Sequence, residues 1–115
     1  MSFPIKVLNR LRDGMLTAAE IQASHPSRRA WMNITPLPYE PHREFRRYIE
    51  NRSFQVVRFE VDRDGIDPNY WLPDAAVHDL ETLELSNEAQ LEAYVLRFVP
   101  ALEDLTAPWN CEMPS

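Results

Sequence analysis

A chain of 115 residues, 44% hydrophobic and 26% charged, has the size and composition of one globular domain, able to bury roughly 65% of its unfolded surface in a single core. Its lone cysteine excludes an internal disulfide, and no apolar run approaches the roughly 20 residues that cross a bilayer. The formal charge of −6 divides by sign: residues 1–52 carry nine Lys/Arg against five Asp/Glu, and residues 53–115 three against thirteen.

From the N-terminus, Lys6 and Arg10 stand inside a short apolar stretch without a small-residue cleavage site. That argues against a secretory leader and, with the single cysteine, gives the expectation of a cytoplasmic protein. Ile5, Leu8 and Leu11 share one helical face with Gly14 as a stop, which predicts a helix, although Ile5 and Val7 suit a strand equally. Thr17 and Glu20 make a T-x-x-E capping box flanked by Leu16 and Ile21 as a hydrophobic staple, so a helix is predicted from Ala18 to about Ser24. His25 before Pro26 ends it.

Residues 28–35 alternate Ala30, Met32 and Ile34 against Trp31, Asn33 and Thr35, the period of a strand. After Pro36, Pro38 and Pro41, a helix is predicted through Arg52, with Phe45, Tyr48 and Ile49 inward and Arg43, Arg46, Arg47 and Glu50 outward. That arginine face is first a solvated surface, and second a patch for phosphate or for the acidic half of another copy, which would give a homodimer. Residues 54–61 are apolar on both faces and predict a central strand, closed by the turn dipeptide Asp64-Gly65. A further strand is predicted around 76–85. Ser86 serves as N-cap for a helix carrying Leu91, Val95, Phe98 and Leu102, kinked or broken at Pro100. The tail is expected to pack Trp109 onto the body. The sum is one α+β domain over residues 1–115, with about three mostly antiparallel strands and three to four helices.

The segment of greatest functional interest runs from Asp62 to Asp74 and sets Asp62, Asp64, Asp67 and Asp74 around Tyr70 and Trp71 in a proline-stiffened loop. Rigid aromatic anchors ringed by acids suit recognition of a basic protein. The plainer reading is a hairpin turn whose aromatics tuck into the core. Calcium fits poorly, because Gly65 directly follows the second Asp and Pro73 stands where an EF-hand needs Glu. His25, His42, His78 and Cys111 lack zinc spacing, and His78 and Asp79 point to opposite faces of a strand, so no metal, cofactor or catalytic group is expected. Cys111 has no nucleophile motif around it.

The acidic excess disfavours direct nucleic-acid binding, which depends on Lys and Arg at phosphates. The expectation is a small acidic protein, not an enzyme, that neutralises a basic, toxin-like partner in the manner of immunity proteins and antitoxins. Asp62, Asp64, Asp67, Asp74, Asp79, Glu81 and Glu84 would enter the partner's active cleft, with Tyr70 and Trp71 as anchors. The alternative is a regulatory or accessory domain that binds a small ligand or another macromolecule through a pocket lined by Trp31, Tyr70 and Trp71.

Overall fold

The computed structural model describes residues 3–42, 47–63 and 77–113. Its centre is a four-stranded antiparallel meander, β1 (Thr17–Ile21), β2 (Arg28–Leu37), β3 (Ser53–Asp62) and β4 (Val77–Leu85), in that spatial order. Two α-helices are found among the described residues, α1 (Ile5–Arg12) and α2 (Glu88–Val95), followed by 3-10 turns at Leu102–Asp104 and Pro108–Cys111. The class is α+β, but with one strand more and fewer helices than the sequence predicts.

Both discrepancies have a local cause. The capping-box segment is β1: Thr17 lies opposite Ile34 and Ile21 opposite Ala30, and Thr17, Ala18, Ala19 and Ile21 are all buried. Thr17 Oγ1 donates to the Met15 carbonyl instead of accepting from a helix N–H, and Glu20 reaches across to Arg29. Five residues are too few for helix propensity to outweigh a complete pairing with β2. The helix predicted from Pro41 to Arg52 is also absent from the residues described there, since 41–42 are a turn, 47–52 are irregular, and 43–46 lie outside the described residues. Arg52, only 4% exposed, donates to the carbonyls of Arg12, Pro38 and Arg47 and ties the connection down in that irregular course. Tyr48 is exposed there, not inward.

The alternation of each strand places two sets of side chains. Ala19, Ile21, Ala30, Met32, Ile34, Phe54 and Val56 face α1, α2 and the following turn, and with Val7, Leu11, Leu91, Val95, Leu102 and Leu105 they form the main core. Each fully buried Leu, Met or Phe in it contributes about 1.5–3 kcal/mol. The buried stripe of α1 is Val7 and Leu11, whereas Ile5 is exposed, so the helix is rotated from the predicted face. On the other side Trp31 and Val61 form a smaller cluster with Phe59, Cys111 and Met113. Trp31 stacks on Phe59 and donates its indole N–H to the Cys111 carbonyl at 2.9 Å. The tail thus docks through Cys111 and Met113, leaving Trp109 73% exposed against expectation.

The N-cap of α2 is Asn87, one residue after the predicted Ser86: its Oδ1 accepts from Gln90 N, and Gln90 in turn accepts from Ser86 N. At the sheet's margins the strands differ. Ala18 of β1 exchanges both backbone hydrogen bonds with Thr106, at 2.8 and 2.9 Å, so that edge is partly closed. β4 pairs only with β3 among the described residues, and Leu80 is an extra residue in a bulge where the register slips between Arg58 and Phe59.

Candidate functional site

The meander folds the basic half of the chain onto the acidic half. Arg12 meets Glu88 in a two-pronged contact at 2.9 Å on each arm, Arg28 meets Glu60 and Asp62, and Arg29 meets Glu20 and Glu112. The Arg12 guanidinium holds the Glu88 carboxyl below the usual carboxylate range, and Arg29 does the same for Glu20. Among the described residues the sign asymmetry of the sequence is therefore partly cancelled. Much of it is consumed by pairs between the halves.

Where β2 and β3 run past the helices, one carboxylate is sealed in. Glu60 is 1% exposed and takes three donors: Ser24 N at 2.5 Å, Ser24 Oγ at 2.7 Å and Arg28 Nη1 at 3.2 Å. Burial pushes its pKa up, but these hydrogen bonds outweigh burial and leave it below the ordinary value. Asp62 continues the chain of contacts, 3.3 Å from Arg28 Nε and 3.2 Å from His78 Nε2. Ser24 Oγ is thus committed to a carboxylate and not to a histidine, so the cluster has the connectivity of a structural tie between the β1–β2 turn and β3, not of a nucleophile–base pair.

Of the nine residues predicted for partner binding, Asp64, Asp67, Tyr70, Trp71 and Asp74 lie outside the described residues. The other four divide. Asp62 belongs to the Arg28 cluster. Glu81 pairs with Arg58 at 3.3 Å and accepts from the Tyr94 hydroxyl, and these two contacts hold its carboxyl below the usual range. Asp79 and Glu84 form no ion pair among the described residues, and both stand exposed on the face of β4 turned away from the helices, level with Phe59 and Gln55 of β3. Glu81 is on the opposite face, with Leu83 and Leu85. The strand that carries them pairs on one side only, with β3, among the described residues. A sequence gives no direct sign of which strand is an edge, though the run of exposed positions in 79–84 is visible in its polarity.

The remaining candidates are structural. Trp31 is fully buried, and Tyr70 and Trp71, with which it was expected to line a pocket, lie outside the described residues. Burial raises the Cys111 thiol above its ordinary value, which disfavours the thiolate. No group of three His, Cys, Asp or Glu side chains is arranged to hold a metal among the described residues, and no helix there is long and apolar enough to cross a membrane. No family model, curated protein or solved structure matches this chain.

Proposed function

We propose that the protein is a binding module that captures a basic polypeptide along β4, in the role of an immunity- or antitoxin-type inhibitor of a toxin-like partner. The observation that supports this is that, among the described residues, β4 pairs on one side only and carries two exposed acids without an ion-pair partner. β4 is nine residues long, enough for an extended segment to add as a fifth strand through main-chain hydrogen bonds. Asp79 and Glu84 on its exposed face favour Lys or Arg at alternate positions of that segment. The same acids and the Leu80 bulge also discourage two copies from joining edge to edge, a common protection of exposed strands.

The test is capture by the N-terminally tagged chain from its native lysate at low and then high salt, in parallel with an Asp79→Lys/Glu84→Lys variant. The expected result is one stoichiometric basic protein that leaves as salt rises and is held at least about tenfold less by the variant, through a slower association. Retention indifferent to salt and to the double reversal would remove β4 as the site. Recovery of the chain alone would move weight to a small-ligand role.

A further inference from the structure

The two faces of β4 differ in chemistry. Leu83 and Leu85 lie on the side of the helices, packed against the main core yet each still partly exposed. Glu81, on the same side, is taken up by Arg58 and Tyr94 and offers no free charge. Thr82 and Glu84 stand on the other side with Asp79, all three exposed. Neither Asp79 nor Glu84 has an ion-pair partner among the described residues.

The neighbour that β4 already has shows what such a strand accepts. Phe54 lies opposite Leu85 and Val56 opposite Leu83, so both leucines meet apolar side chains on the helix side. On the other side Gln55 lies opposite Glu84 and Phe59 opposite Asp79, four residues apart on β3, because Leu80 has no counterpart there. A strand added beyond β4 and keeping this count meets the same order of side chains: leucine, acid, leucine, then the second acid four positions after the first.

We infer that the segment captured on β4 is an amphipathic strand. It carries aliphatic side chains facing Leu83 and Leu85, a Lys or Arg between them facing Glu84, and a second basic residue four positions further on facing Asp79. The inference rests on β4 as the docking strand and adds the side chains that the incoming strand must bring. Main-chain pairing accepts any sequence, so selection comes from alternate side chains. Aliphatic groups complete the burial of two leucines that β3 and the core leave partly exposed. A basic residue on the helix side finds no free carboxylate there, and an aliphatic one on the other side leaves Glu84 unmatched. Since a strand turns successive side chains to opposite faces, two adjacent basic residues cannot both reach the acids. The arrangement of charge, not its amount, decides the fit.

The experiment is NMR titration of the full chain with two capped peptides of one composition, Val-Lys-Val-Thr-Thr-Lys and Val-Val-Thr-Thr-Lys-Lys, followed at the β4 amides. Run antiparallel to β4, the first sets its valines against Leu85 and Leu83 and its lysines against Glu84 and Asp79. The second places its lysines on opposite faces in every register. The first is expected to shift the β4 amides and to bind about tenfold more tightly, gaining one charge pair and an apolar contact. Replacing its valines by threonine should weaken it about fivefold. Glu84→Lys, a change at an exposed side chain, should bring the first peptide down to the level of the second. Equal affinity for the two isomers, with the β4 amides shifted by both, would overturn the pattern and leave β4 as the docking strand. No shift along β4 with either peptide would overturn the pattern and the docking strand together. β4 amides that respond to protein concentration alone would give the strand to a second copy, and that too would overturn the inference.

Discussion

Glu60→Gln tests how the buried carboxylate contributes. The substitution keeps the shape of a side chain that is 1% exposed and removes its charge. The new amide oxygen can still accept from Ser24 N, and Ser24 Oγ can rotate to accept from the amide nitrogen. Arg28 Nη1, 3.2 Å away, would then face a donor, so one charge-assisted hydrogen bond is lost, worth about 1.5–3 kcal/mol. Removing one member of a buried ion pair typically costs about 3–5 kcal/mol. The lower range applies here because the Arg28 side chain is a quarter exposed and retains Asp62. The expected loss is about 2 kcal/mol, a fall in melting temperature of roughly 8 °C for a domain of this size.

The pH dependence gives a second readout. The folded-state pKa of Glu60 is lowered, so its contribution is fully present above the unfolded value of about 4.3 and is lost as pH falls through the folded value. Urea unfolding of wild type and variant at pH 7 should therefore differ by the full amount, and the gap should close as the pH is taken down below the unfolded value. A difference under about 0.5 kcal/mol at pH 7, or one that persists unchanged in acid, would refute the argument. Asp62→Asn is the internal control. Asp62 is nearly half exposed, and its loss should cost at most about 1 kcal/mol.

Two further outcomes follow from the backbone. Asn87→Ala removes the acceptor for Gln90 N and should lower stability by about 1 kcal/mol in chemical denaturation, whereas Ser86→Ala, at the residue that precedes the cap, should change it little. Gly14→Ala meets both a left-handed φ and the Arg52 guanidinium. It should destabilise by about 1 kcal/mol or more by thermal melting, against the usual gain from replacing glycine.

The parts of the fold that can be read in the sequence are those where one periodicity dominates. The alternation of Ala30, Met32 and Ile34, the two-sided apolar run in 54–61 and the spacing of Leu91 and Val95 each match an element. The capping box misleads because its residues also suit a pairing with β2, and the partner strand is not local information. The connection before Arg52 misleads because its organiser is a side chain that acts through three carbonyls, those of Arg12 and Pro38 being distant in sequence, a role without a motif. The charge split is visible in the sequence, but its cancellation depends on register: only the antiparallel pairing that sets Arg28 opposite Asp62 and Ala30 opposite Glu60 brings those charges together. For the same reason the sequence groups Glu81 with Asp79 and Glu84, while the sheet turns them to opposite faces.

The two margins of the sheet make its growth one-sided. Thr106 occupies the outward backbone groups of Ala18, leaving no uninterrupted run along β1 for an incoming strand. A chain that docks on β4 extends the sheet by a single unit, and the far margin cannot pass the addition on. Head-to-tail polymerisation, in which β4 of one copy seeds on β1 of the next, is hindered at its acceptor by that bridge, while β4-to-β4 pairing would bring Asp79 and Glu84 of two copies close together. Thr106 thus acts as a stopper on β1, taking the place an incoming strand would need at Ala18.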